Sequence, residues 1–234
     1  RDLIENGYTQ VIVPTGGIEQ NGPFLSTGKH NVILQAACPE IAKKLGNTLC
    51  APIIKFVPEG NIEPPSGAML FPGSISLRAE TYHMLLDDIA SSLKQSGFKN
   101  IIFIGDSGGN QKGMEIVAKK LNQRWSGSRV LAHYIPEYYN PGWEETERFT
   151  KEVLGVEETS NDGHHDDIWV TAMMMVTDPE QVRHQQRIDA GLASINGVDI
   201  TPIGETTELG RKMLEFRAEF TADAILKAIQ SSKQ

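Results

Sequence analysis

The chain has little of what a cross-linked scaffold or a polyanion-binding surface would need. Its 234 residues include two cysteines, Cys38 and Cys50, in neither a Cys-x-x-Cys nor a Cys–His spacing. That excludes a disulfide framework and a thiolate zinc finger. Basic residues are the minority, 22 Lys and Arg against 30 Asp and Glu, for a net charge of -8. Nucleic acid and anionic membranes select clustered Lys and Arg, so neither is an expected partner. No apolar run approaches the roughly 20 residues that cross a bilayer, and the mean hydropathy is -0.29. Arg1 opens the chain with no Met and no charged-then-apolar leader, which predicts a mature or trimmed chain. Compartment stays open: cytoplasm is favoured, and the periplasm is allowed if a signal peptide has been removed.

What is present is an alternation of apolar runs and helical patterns, as a sheet covered by helices on both faces requires. Thr9 to Pro14 predicts a buried strand ended by Thr15-Gly-Gly17. Asn31 to Leu45 carries Ile33, Ala37, Ile41 and Leu45 on one stripe and stops at Gly46, which predicts a helix despite Pro39. Pro52 to Val57 is a second apolar run, followed by a Pro- and Gly-rich loop to Gly67. Helix is predicted over Arg78–Gln95. Asn100–Ile104 then reads as a strand running through Gly105-Asp-Ser-Gly-Gly-Asn110 into a helix over Gln111–Trp125, the clearest unit of the chain. Val130–Ile135 predicts a further strand, Tyr138–Asp162 a surface excursion, and Asp166–Val176 and Thr206–Gln230 two more helices, the last with Leu209, Met213, Phe216 and Phe220 inward. The expected fold is α/β, one domain over residues 1–234 with a mostly parallel sheet.

Ligands of such sheets bind where strand carboxyl ends meet the following loops, and three polar clusters fall there. Gly105-Asp-Ser-Gly-Gly109 copies the sequence around a trypsin-like nucleophile, but those enzymes are all-β whereas this pentapeptide joins a strand to a helix, so the protease match is a decoy. A Gly-rich turn at a helix N-terminus also suits an anion. Gly163-His164-His165-Asp166-Asp167 concentrates two imidazoles and two carboxylates, which are costly to leave unpartnered. The aspartates fit helix capping and the histidines a ligand or acid–base role. His83 and His184 read as ordinary residues, and His133 is open. In the first cluster, Glu19 and His30 can hold a divalent cation such as Zn or Mn. A Glu19–Lys29 salt bridge is the alternative.

Taken in order, these segments resemble the creatininase family. Gly17-Ile-Glu19-Gln-Asn21-Gly-Pro23 through Lys29-His30 is similar to the family's Gly-Ser-x-Glu-Gln-His-Gly-Pro run ending in Thr-Asp. Phe71-Pro-Gly-Ser-Ile75 resembles its Phe-Pro-Gly-Thr-Ile, Gly105–Asn110 its Asn-Gly-His-Gly-Gly-Asn, and Gly163-His164 its His-Ala-Gly segment. The resemblance runs from about Leu3 to Val176. It implies a three-layer α/β/α domain, a homo-oligomer such as a hexamer, and a divalent-metal centre (Zn, Mn or Fe) that hydrolyses a non-peptide C–N bond of a small molecule. Residue by residue, Glu19 matches a metal ligand. Asn21 and Ser107 stand where ligand histidines are expected, and His30 where a bridging aspartate is expected.

Three expectations compete. In the favoured one a rebuilt, mononuclear centre joins Glu19 and His30 with Asp106, His165 or Asp167. Its bound water attacks a cyclic amide, lactam or formamide, while Ser107, Gly108 and Gly109 hold the oxyanion and His164 or His165 protonates the leaving nitrogen. Asn21, Glu59, Ser66 and Trp169 are the expected substrate contacts, and Trp143 or Trp169 walls the pocket. A lactone or activated C–C bond is the variant substrate. In the second expectation the metal is gone and a non-catalytic binding or assembly role remains. In the third the histidine pair works as acid and base without metal.

Overall fold

The computed structural model describes residues 1–161 and 163–232; Asp162, the last residue of the expected excursion, lies outside them. After a short α1 (Asp2–Glu5), four strands form one parallel sheet: β1 (Gln10–Thr15), β2 (Thr48–Cys50), β3 (Asn100–Gly105) and β4 (Leu131–Tyr134). Their order is β2-β1-β3-β4, with Val11 opposite Ile101 and Val13 opposite Phe103. Successive side chains of a strand point to opposite faces. Val11, Val13, Ile101 and Phe103 accordingly join one core, while Ile12, Ile102 and Ile104 join the other. Both faces are dry, which is why these strands read as unbroken apolar runs.

Helices α3 (Ala79–Gln95) and α4 (Gln111–Arg124) cover the first face through Leu86, Ala90, Met114, Val117 and Leu121. The second is covered by α2 (Lys29–Leu45), α6 (Ile168–Thr177) and α8 (Ile203–Ser231), with Ile33, Ile41, Met173, Met213 and Ile225 at their contacts. Pro39 is accommodated inside α2, and Gly46 ends it at φ 80, a backbone angle that favours glycine. The expected strands and helices form, with ends that coincide or shift by at most three residues. The second apolar run adds only a bridge between Ile54 and Thr15 beyond β2.

Two expectations need correction. The Tyr138–Asp162 stretch is not a bare surface excursion: it contains α5 (Gly142–Glu152), which buries Thr146 and Thr150 and stacks Phe149 on Phe216 of α8 at 4.3 Å. Six of its eleven residues are charged, and that polar composition masks a helix whose few apolar side chains keep to one face. Cys38 of α2 and Cys50 of β2 also meet in a disulfide, with Cα atoms 6.3 Å apart, because α2 runs back antiparallel to the sheet and ends beside β2. The chain closes through α7 (His184–Asp189), a small hairpin of β5 (Ser194–Ile195) and β6 (Val198–Asp199), and α8.

The connection after β1 leads to α2 on one face, and the connection after β3 leads to α4 on the other. A crevice opens between strands whose connections diverge in this way. Both connections carry the polar clusters of the sequence.

Candidate active site

A row of five charged side chains runs from the core to that crevice. Arg217 of α8 donates to Asp106 Oδ1 at 2.9 Å, and Tyr138 donates to the same oxygen at 2.8 Å. Asp106 Oδ2 meets His30 Nδ1 at 2.9 Å, and His30 Nε2 meets Glu19 Oε1 at 2.9 Å. Lys29 Nζ closes the row 3.1 Å from that same Glu19 oxygen, with its side chain only 2% exposed. Lys29 and His30 are the first two residues of α2, so one helix start delivers both. Burial opposes a charge on His30, but the hydrogen bonds to Asp106 and Glu19 prevail and raise its pKa: both ring nitrogens face carboxylates and both must donate. Burial also opposes a charge on Asp106 and Glu19, which for a carboxyl means a raised pKa. Arg217 with His30 and Tyr138 holds Asp106 below the usual carboxylate range, and His165, His30 and Lys29 do the same for Glu19.

Ser107 stands beside this row. Its hydroxyl donates to Glu59 Oε2 at 2.9 Å and accepts from Gly109 N at 3.3 Å. Gln111 pins the turn by donating to the carbonyls of Gly105 and Ser107. Glu59 is 6% exposed, and its other carboxyl oxygen has no protein partner. Burial first, and the negative charge of Glu19 second, push its pKa up to about 7. Gly109 has no alternative here, because a Cβ would lie 1.9 Å from the Pro58 carbonyl oxygen. The close approach of the two loops that joins Ser107 to Glu59 depends on it.

Glu19, Lys29, His30, Ser107 and Gly108 line a pocket of about 300 Å³, walled by Tyr139, Trp143, His165, Asp167, Trp169 and Val170. Trp143 and Trp169 meet edge to face at 4.6 Å. A larger cleft of about 650 Å³ lies between α2 and α8, but the charges that line it, among them Glu40, Lys43, Lys44 and Glu215, are taken up in exposed ion pairs with one another.

The remaining expected residues divide. His165 reaches the mouth, 70% exposed, with Nδ1 3.8 Å from Glu19 Oε1, and its backbone carbonyl accepts from Lys29 at 3.5 Å. His164 instead packs on Gly22, outside the pocket lining. Asp167 is at the wall, its pKa pushed up to about 6 by burial and by Glu158. Asp166 does not cap α6; it forms a buried pair with Arg187 at 2.8 Å, and Asp167 makes no side-chain cap either. Asp106 is not a pocket ligand: both its oxygens are taken up beneath His30. Asn21 is buried and donates to the Glu19 carbonyl, which orients the loop. Ser66 accepts from Asn61 N within its own loop. Gly109 does not line the pocket and lies against the Pro58 carbonyl instead.

Arg217 and Tyr138, which hold Asp106, and Tyr139, at the pocket wall, are residues of the site that the sequence pattern did not single out. A signal for Arg217 existed: it lies four residues from Met213 and four from Thr221, a charge on a buried stripe.

The donor set fits a divalent cation poorly. Among the described residues no group of three or more His, Cys, Asp or Glu side chains is placed to hold one. Both His30 nitrogens are engaged by carboxylates, and the Glu19 oxygen that faces His30 already carries the Lys29 ammonium. A cation on that oxygen, at a bond of about 2.1 Å, would sit within about 5 Å of Nζ. At an effective dielectric of about 20 that repulsion is on the order of 6 kcal/mol.

Comparison with known proteins agrees with the fold. A family model described as creatininase, creatinine amidohydrolase, matches residues 2–225. The creatinine amidohydrolase of Pseudomonas putida is 20% identical over 244 residues, covering 94% of this chain and 89% of that one. A solved tryptophan-to-alanine mutant of creatininase superposes with a TM-score of 0.65 at 17% identity, covering 97% of this chain and 93% of the other. A zinc–zinc form of a glutamate-to-glutamine mutant creatininase gives 0.60 at 19% identity, covering 99% and 93%. Because the family model spans residues 2–225, nearly the whole chain, this protein belongs to the creatininase family.

Proposed function

We propose that this protein hydrolyses a non-peptide C–N bond of a small amide, such as a cyclic amide, lactam or formamide. Family membership supports the reaction class, and a relative named for creatinine amide hydrolysis supports the substrate class. The observation that carries the proposal is the Ser107–Glu59 hydrogen bond of 2.9 Å at the wall of a pocket of about 300 Å³, which has room for a small ring and not for a folded polypeptide.

A nucleophile needs a base within hydrogen-bond reach, itself held in place. Glu59 meets both conditions, for Ser76 fixes its backbone N–H at 2.9 Å. With a pKa of about 7 it is partly ionised near neutrality, the condition under which a carboxylate both takes and returns a proton. Glu59 accepts the Ser107 hydroxyl proton as Oγ bonds to the carbonyl carbon, and the C=O electron pair moves to oxygen. Gly108, at the wall and at the start of the helical turn leading into α4, offers a backbone N–H to that oxyanion. Collapse breaks the C–N bond, and the proton on Glu59 passes to the leaving nitrogen. Water then attacks the Ser107 ester, gives its proton to Glu59, and Ser107 Oγ takes that proton as it leaves.

A panel of small cyclic amides and formamides, assayed for amine release, tests the proposal. Glu59→Gln and Ser107→Ala are each expected to lower turnover by about 10²–10⁴, and mass spectrometry is expected to find an acyl adduct on Ser107. Hydrolysis that survives Ser107→Ala undiminished would sink it.

A further inference from the structure

We propose that Lys29 is a built-in cation: its ammonium holds the place beside Glu19 that a bound divalent ion would otherwise take, so the site is complete without metal. The claim stands on geometry and is independent of which amide, if any, is cleaved.

Lys29 is the first residue of α2, yet its side chain is 2% exposed and turned into the pocket wall. Long cationic side chains at helix starts ordinarily extend into water, and a helix N-terminus repels positive charge. Something must outweigh both effects. Glu19 Oε1 at 3.1 Å, the His165 carbonyl at 3.5 Å and the face of Trp143 with its centroid at 5.9 Å surround the ammonium. Carboxylate, carbonyl and aromatic face are an environment built for a positive charge.

The same oxygen of Glu19 also receives His30, whose far side is fixed by Asp106 and Arg217. Carboxylates thus alternate with cations along the whole row, and the charge of Glu19 is answered twice from the protein itself. An ammonium has three N–H donors. Glu19 and His165 engage two, and the third is left for a carbonyl or anionic oxygen of a molecule in the pocket that Lys29 lines. A tethered ammonium polarises such an oxygen as a bound cation would, but with one charge instead of two.

Metal content and thermal unfolding of the full chain, wild type and Lys29→Ala, test this. Wild-type protein purified without chelator, then dialysed against Zn²⁺ or Mn²⁺ and desalted, is expected to keep less than about a tenth of an equivalent of metal. Its melting temperature should not respond to EDTA or to added Zn²⁺. In Lys29→Ala the ammonium is gone while Glu19 and His30 remain, so Zn²⁺ is expected to raise that variant's melting temperature by about 4–8 °C. Wild type that retains near-stoichiometric metal, or melts lower in EDTA, overturns the proposal. An equal Zn²⁺ response in the two proteins overturns it too, as does no response in either, which would leave Lys29 an ordinary buried ion pair. If Lys29→Ala does not fold, the wild-type metal content decides alone.

Discussion

Arg217→Met is expected to be among the most destabilising single changes in this protein. Arg217 and Asp106 are both fully buried, 2.9 Å apart, and Arg217 also donates to the Tyr138 carbonyl at 3.1 Å and stacks on its ring at 4.2 Å. Methionine fills much of the volume but leaves the Asp106 charge in a dry interior with only His30 and Tyr138 to answer it. Removing one partner of a buried pair costs about 3–5 kcal/mol. For a chain of this length each kcal/mol lowers the midpoint by about 2–4 °C, which predicts a fall of about 6–20 °C by calorimetry at pH 7. The double variant Arg217→Met with Asp106→Asn removes the stranded charge and should recover a sizeable part of the loss. Acid unfolding gives an independent check. A carboxyl depressed in the folded state contributes stability that is present above its unfolded value and lost as pH falls through the folded one. Asp106 is depressed chiefly by Arg217 acting against burial; without the guanidinium its folded value rises, less of that stability is there to lose on acidification, and the variant's acid limb should be shallower than that of wild type. A loss under about 1 kcal/mol, the worth of an exposed pair, with an unchanged acid limb would refute the reasoning.

Two further outcomes follow from the same geometry. Glu59 is raised from 4.5 to about 7 in the folded state, so the stability linked to its proton is present below the unfolded value and drains as pH rises through about 7. Wild type should lose on the order of 3 kcal/mol in urea titrations between about pH 5 and pH 8 relative to Glu59→Gln; parallel pH curves would contradict this. Gly109→Ala drives a Cβ to 1.9 Å from the Pro58 carbonyl oxygen, a backbone atom that cannot swing away. A cost of about 1–3 kcal/mol in thermal unfolding is expected, and a variant that melts with wild type would show that the loops separate at no cost.

The sheet was legible because both its faces are covered: β1 and β3 are short apolar runs with sharp ends, and the Gly-rich turn after β3 leads directly into α4. Glu19 and His30 were also legible as a pair that converges at the strand ends, and they lie 2.9 Å apart. The Glu19–Lys29 salt bridge, the reading that competes with a metal at Glu19, forms at 3.1 Å, and Glu59, an expected substrate contact, is turned inward to Ser107 by the tertiary contacts of the 58–67 loop. What the sequence concealed was the direction of charge. Arg217 stands out only as a charge on the inner stripe of α8, and its partner Asp106 lies 111 positions away in sequence. The His164–Asp167 cluster shows the converse. Its density of chemistry suggested one site, yet its members part, with His165 and Asp167 at the wall, His164 on Gly22 and Asp166 with Arg187.

The disulfide between Cys38 and Cys50 fastens the middle of α2 to an edge strand, while the start of the same helix is gripped through Lys29, His30 and Asn31 by carboxylates and by the Gly17 backbone. Helix α2 is thereby tethered at two points to the sheet that frames the crevice, and its side of the pocket acts as a fixed jaw. Under the proposed function, selectivity for one small ring over another falls to the opposing jaw, where Tyr139, Trp143, His165 and Asp167 line the pocket. Libraries aimed at new substrates belong there, not on the helix that carries the charge.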